Sequence, residues 1–214
     1  MKIITNAIGK RFQRDWIFKQ LNYTFEAGKT YAVTGPNGSG KSTLLQCLAA
    51  VSPLTEGTLQ YVSSENQIIA HDDIYRHIGV AAPYLELIEE FTLDELLAFH
   101  GKFKKFRISA DTLADRMKLA RAKNKNIAHF SSGMKQRLKL ALALFSDTPI
   151  VFLDEPTANM DVHGIDWYKA EIEQHLANRL VIICSNQRYE YDFCDSVLHI
   201  ADYQPIAKEL EATK

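Results

Sequence analysis

The stretch GPNGSGKSTLL, Gly35 to Leu45, carries the spacing G-x-x-x-x-G-K-[ST], met by Gly35, Gly40, Lys41 and Ser42. A loop of this kind suits phosphate. Its glycines let the chain curl closely enough for successive N–H groups to point inward, and the helix that follows adds partial positive charge. Gly35, Pro36, Asn37, Gly38, Ser39, Gly40, Lys41, Ser42 and Thr43 are therefore the expected phosphate-binding residues. Lys41 is expected to reach the β- and γ-phosphates, and Ser42 to offer its hydroxyl to Mg²⁺. The context is complete, because "TYAVTG" reads as a short strand before the loop and Lys41–Ala50 shows helical spacing after it.

Outward from this loop, apolar and polar residues alternate through Ile3–Ile8 and Trp16–Phe25, which predicts two antiparallel strands. Shorter strand-like pieces follow at Gly57–Val62 and His77–Ala81. The middle of the chain changes to helical periodicity. Thr92 and Glu95 form a capping box ahead of Leu93, Leu96 and Leu97, and Ser109 opens a second helix. A third helix runs from Ser132 to Phe145 with Met134, Leu138, Ala141, Leu142 and Phe145 as its apolar stripe. After Pro149 come "IVFLD", a helix beyond Asp161, "LVIIC" and "SVLHI". Strands alternating with helices predict an α/β fold with parallel strands. The expectation is a P-loop nucleoside triphosphatase core with an antiparallel β subdomain and a helical subdomain at about residues 92–146, all within one domain, 1–214.

Composition narrows the function. Twenty-five basic residues against twenty-six acidic ones leave no basic excess, so no nucleic-acid partner is expected. The basic run Lys102–Arg107 reads as a solvated helix end with half-buried Phe103 and Phe106. Cys47, Cys184 and Cys194 are odd in number and lack C-x-x-C spacing, which fits small core residues in a reducing compartment. No apolar run approaches the roughly 20 residues of a membrane span. A cytoplasmic location follows as the expectation, with any membrane role requiring a partner.

Two further segments carry chemistry. In "PIVFLDEPTANMD" a buried strand delivers Asp154 to the phosphate site, where it would hold Mg²⁺ through water. Glu155 follows on the opposite face of a strand-like backbone, placed to polarise an attacking water as general base. "AHFSSGMKQRLKLALAL" then resembles the signature segment of the ATP-binding cassette (ABC) ATPases, with Ser131, Ser132, Gly133 and Met134 followed by Gln136 and Arg137. Phe130, Ser132 and Met134 depart from that family's usual Leu, Gly and Gln.

The resemblance covers nearly the whole chain. It implies ATP and Mg²⁺ as cofactors and Phe12 as the aromatic that stacks on adenine, with Trp16 as its competitor. It further implies that Asp161 reaches across a dimer interface, and that Ser131–Met134 contact the nucleotide of the opposite subunit. Lys41, Glu155 and Asn186 would be the catalytic residues. Two positions depart from the family. Pro83 stands where a glutamine usually touches Mg²⁺ and the attacking water, with Glu86 nearby as a substitute, and Asn186 replaces the switch histidine. Asparagine donates a hydrogen bond but does not exchange a proton near neutral pH.

The function implied is the ATP-hydrolysing subunit of an ABC transporter, lying on the inner face of the membrane. Its partners would be a transmembrane permease subunit and a second cassette, as homodimer or heterodimer. The apolar loop "APYLELIEE" would border the docking groove. The alternatives are a soluble ABC ATPase and a non-hydrolysing ATP-sensing module.

Overall fold

Strand pairing in the N-terminal third follows the alternation. In the computed structural model, which describes residues 1–205, β1 (Lys2–Phe12) pairs antiparallel with β2 (Asp15–Glu26), from Lys2 opposite Glu26 to Phe12 opposite Asp15. Residues 206–214, part of the expected single domain, lie outside the described residues. A second, parallel sheet begins with β3 (Thr30–Thr34), the strand that feeds the phosphate loop. On its other side β1 pairs with β4 (Glu56–Val62), and β5 (Ile68–Ile69) completes a four-stranded sheet in the order β2-β1-β4-β5. At two residues β5 is too short to show any periodicity, so it is absent from the sequence reading.

The parallel sheet has the order β6-β7-β8-β3-β9, built from β6 (Ile78–Ala81), β7 (Ile150–Asp154), β8 (Leu180–Cys184) and β9 (Ser196–His199) around β3. The apolar runs of β7 and β8 are continuous because both faces are covered. Their two-residue period divides them between two cores. Ile150, Phe152, Leu180 and Ile182 join Leu44, Leu48, Phe18 and Phe25 on the face toward the antiparallel sheet. Val151, Leu153, Val181 and Ile183 face Leu97, Leu138, Phe145 and Tyr168 on the other.

Among the described residues, five α-helices accompany the sheets: α1 (Lys41–Leu48), α2 (Leu93–Gly101), α3 (Ala110–Arg116), α4 (Ser132–Phe145) and α5 (Val162–His175). The expected caps are present. Thr92 Oγ1 accepts the Glu95 N–H while Glu95 accepts the Thr92 N–H at 2.8 Å, and Ser109 caps α3. Helix α4 buries more than the expected stripe. Leu138, Ala141 and Phe145 are buried, Met134 and Leu142 only partly so, and Leu140, Ala143 and Leu144 join them because the helix lies between the sheet and α5. Lys104 is not solvated: its Nζ donates to the Ile78 carbonyl at 2.7 Å, whereas Phe103 is 62% exposed.

Arg179, 1% exposed, closes the C-terminal end of α4. The last carbonyls of a helix have no intrahelical donor. The guanidinium donates to the carbonyls of Leu144 at 2.6 Å, Ser146 at 3.1 Å and Thr148 at 2.8 Å, and to Thr148 Oγ1 at 2.8 Å. Burial pulls its pKa down to about 9, and Arg107 adds to the effect. Arg179→Ala is expected to cost about 3 kcal/mol, read from the urea midpoint, because it strands buried acceptors. A loss under about 0.5 kcal/mol would show that water replaces the guanidinium.

Candidate functional site

All five parallel strands point their C-terminal ends to one edge, so the loops after β3, β7 and β8 converge there. Carboxyl ends of parallel strands are where open α/β sheets bind ligands. The loop after β3 runs into α1 without a side-chain cap and with no acidic residue in the first turn. Gly40 occupies the N-cap with φ of 101°, and a Cβ there would lie 2.2 Å from Ile17 Cγ2 on β2. Only glycine combines that dihedral with such an approach. The first-turn N–H groups thus remain available to an anion.

Lys41 is buried, and its Nζ donates to the carbonyls of Gly35 at 2.8 Å and Pro36 at 3.1 Å, which folds the ammonium back over the loop. Ser39 is buried with its Oγ unpartnered. Gln204 Nε2 donates to the Ser39 carbonyl at 3.0 Å, so the C-terminal segment props the loop from outside.

Asp154 ends β7, 1% exposed, and its Oδ1 has no hydrogen-bond partner. Burial raises its carboxyl to about 6; the nearby charges of Glu155 and Glu190 push the same way, while Ser42 and Lys41 oppose. A buried, unpartnered carboxylate oxygen beside the Ser42 hydroxyl is an all-oxygen donor pair suited to Mg²⁺. Ser42 and Asp154, the two expected metal residues, therefore come together and fit the ion.

Glu155 departs from its expected geometry. It does not continue the strand to the opposite face but leaves β7 in the left-handed region, φ 43°, with an exposed side chain. Its N–H donates to the Cys184 carbonyl at 2.9 Å, which pins the turn to β8. A non-glycine residue in this conformation costs about 1 kcal/mol, and such strain concentrates at functional positions. Asn186, just beyond β8, reaches the phosphate loop directly: its Nδ2 donates to Asn37 Oδ1 at 2.7 Å.

Phe12 lies at the hairpin end of β1, half exposed, with Lys10 Nζ 4.8 Å from its ring centroid. Trp16 sits across the same hairpin between Arg11 and Lys19. Ser131, Ser132, Gly133 and Met134 are elsewhere. Ser131 caps α4 by accepting the Met134 N–H at 3.3 Å, and Gly133 faces the Asn159 carbonyl. Among the described residues, no hydrogen bond joins this turn to the phosphate loop. Asp161 is exposed and caps α5 by accepting the Gly164 N–H at 2.8 Å.

Pro83 is exposed, and its carbonyl accepts from Lys139 Nζ at 3.0 Å. Glu86 does not turn to the metal position; it lines a cavity of about 240 Å³ with Leu85, Leu87, His100, Lys104 and Lys139. Tyr84 is the residue that turns inward. Though 42% exposed overall, its phenol is pushed well above its usual range, chiefly by burial and then by the Asp154 charge, while Gln46 opposes. Sequence reasoning missed Tyr84 because an aromatic in an apolar loop carries no such signal. It also missed Glu190, buried against Thr157 and Ser185 on the loops after β7 and β8.

A family model described as ABC transporter matches residues 18–158. The chain is 29% identical over 197 residues to the uncharacterized ABC transporter ATP-binding protein YybJ of Bacillus subtilis, covering 89% of this chain and 88% of that protein. It is 31% identical over 167 residues to Nod factor export ATP-binding protein I of Sinorhizobium fredii, covering 75% of this chain and 48% of that one. It thus spans most of the first relative and about half of the second. The dimeric structure of MJ0796, a bacterial ABC transporter cassette, superposes with a TM-score of 0.72 at 22% identity, covering 92% of this chain and 93% of that one. This likeness is one of fold.

The raised Asp154 pKa yields a signed expectation. Its folded value, about 6, exceeds its ordinary 3.8, so the cost of burying the charge is absent below pH 3.8 and complete above pH 6. Without ligand, Asp154→Asn is expected to be about 3 kcal/mol more stable than the native chain near neutrality, with the gap closing in acid. Adding Mg·ATP reverses the order, since only the native chain gains the metal contact, and that gain fades as pH falls below 6. Thermal melts between about pH 4 and pH 8, with and without Mg·ATP, test this. A stability gap independent of pH would remove the assignment.

Proposed function

The chain belongs to the ABC transporter family of ATP-binding cassettes, ATPases that power transport, and from that premise we propose how its own residues do the work. The observation that carries the reading is the convergence of an uncapped α1, the unpartnered oxygen of Asp154 and Glu155 on one edge of the parallel sheet. The first-turn N–H groups and Lys41 hold the phosphates, and Phe12 stacks on adenine. Ser42 and Asp154 hold Mg²⁺, which when bound neutralises charge gathering on the phosphate oxygens. Glu155, exposed at the strand end, orients the attacking water and accepts its proton. Asn186 donates to the γ-phosphate and so reports its presence, but leaves proton transfer to Glu155.

Ser131–Met134 open an exposed helix end away from the phosphate loop of their own chain. A head-to-tail second cassette would bring this turn, and Asp161, to the first cassette's nucleotide. The fold shared with a dimeric cassette supports that arrangement. The cavity lined in part by Leu85 and Leu87 supports the reading of a docking groove for a transmembrane permease subunit, with the cassette on the inner face of the membrane. The export relative's printed function is consistent with a transport role.

Glu155→Gln is expected to lower ATP turnover at least about 100-fold while ATP binding stays within about twofold. Turnover per native chain should rise with protein concentration, as a dimer requires. The tagged chain should also be recovered from gently solubilised membranes with a stoichiometric multi-span protein. Tight ATP binding with no turnover at any concentration would instead favour the ATP-sensing reading. Recovery without a membrane protein would favour a soluble ATPase.

A further inference from the structure

Glu190 is 2% exposed, although it lies in a short helical turn, Arg188–Glu190, that reads in sequence as polar surface. Its Oε1 accepts the Thr157 N–H at 2.8 Å and the Thr157 hydroxyl, and its Oε2 accepts the Ser185 hydroxyl. Thr157 belongs to the loop that leaves β7 through Glu155, and Ser185 to the loop that leaves β8 into Asn186. The Tyr168 hydroxyl, on α5, donates to the Glu190 carbonyl at 2.8 Å and fixes the turn from behind. These partners are neutral donors. A buried carboxylate is tolerated when its lone pairs are filled, and as an acceptor-only group it takes donors from both loops at once.

The clasp continues in both directions. Gln136 Nε2, on α4, donates to the Pro156 carbonyl at 2.9 Å, which ties the start of α4 to the loop that holds Thr157. The Gln187 N–H donates to Ser185 Oγ at 2.8 Å, and Asn186 Nδ2 reaches Asn37 at 2.7 Å. One hydrogen-bonded path thus runs from α4 to the phosphate loop, and Glu190 joins the loop after β7 to the loop after β8 within it, beside a longer contact of the Tyr189 hydroxyl with Thr157 Oγ1 at 3.2 Å.

We propose that Glu190 is a positioning residue for ATP turnover: its carboxylate joins the loop after β7 to the loop after β8, so that Glu155 and Asn186 keep a fixed spacing around the reacting phosphate. The proposal rests on the ATPase reading above. Glu190 acts through Thr157 and Ser185. Misplacement of a reacting group by about 1 Å costs on the order of 100-fold in rate, so a loosened clasp shows in kcat before it shows in binding.

The test measures steady-state ATP turnover, equilibrium ATP binding and thermal midpoint for the full chain. Glu190→Ala is expected to lower kcat at least about tenfold with KM and ATP affinity within about twofold. Glu190→Gln should recover most of the rate, since its Oε1 still accepts from Thr157 and its Nε2 donates to Ser185. Thr157→Val and Ser185→Ala should each slow turnover. Combined, they should be no slower than the worse single variant, because both act through one carboxylate. Glu190→Ala with native kcat overturns the proposal. So does a loss of rate and affinity together with no recovery by Glu190→Gln, which marks a purely structural role. Should Glu190→Ala not fold, multiplicative losses in the Thr157 and Ser185 pair overturn it instead. A native chain without turnover overturns this proposal and the ATPase reading together; native turnover with insensitive variants overturns this proposal alone.

Discussion

The first-turn N–H groups of α1 have no acceptor within their helix and no side-chain cap, and the surrounding architecture holds that unsatisfied end in place. Strand β3 delivers it between β8 and β9 in the parallel sheet. Strand β2 presses Ile17 against Gly40, and Gln204 holds the Ser39 carbonyl. The antiparallel sheet therefore buttresses the phosphate loop as well as covering one core. An ordinary helix would recruit an acidic first turn or a hydroxyl cap; here both are missing, so the electrostatic demand is left for phosphate.

Three buried charged groups show how environment separates architecture from chemistry. Arg179 and Glu190 have their hydrogen bonds filled, the first by carbonyls at the end of α4, the second by the hydroxyls and amide of two loops. Asp154 is buried as deeply, yet one oxygen is unpartnered and its carboxyl is pushed up to about 6. A satisfied buried charge stabilises one arrangement of the chain; an unsatisfied one stores a binding site. The structure sets them side by side, since Glu190 also contributes to the raised Asp154 pKa.

The two family departures change the site in different ways. At Pro83 the side chain loses both donor and ligand atoms, and Lys139 holds the loop by its carbonyls while burial and the Asp154 charge raise the Tyr84 phenol. At Asn186 the geometry survives, for the amide reaches the phosphate loop directly, but the exchangeable proton is gone. In the proposed mechanism acid–base work then falls on Glu155, which the chain holds in a left-handed turn against β8.

Features written in neighbouring residues were legible in the sequence. The phosphate loop, the Thr92–Glu95 box, the cap at Ser109 and the buried runs of β7 and β8 all depend on side chains and amides within a few positions of each other. Their spacing alone therefore determined the α/β class and the phosphate, metal and general-base candidates. Tertiary structure decided what depends on distant partners. Glu190 meets Thr157 across 33 residues, and Arg179 meets Leu144 across 35. The Asp154 charge acts on the Tyr84 phenol because the loop that carries Tyr84 follows β6, the neighbour of β7 in the sheet. A polar residue in a loop looks alike in sequence whether it faces water or a buried donor; folding alone supplies the partner, and burial gives that partner its energetic weight.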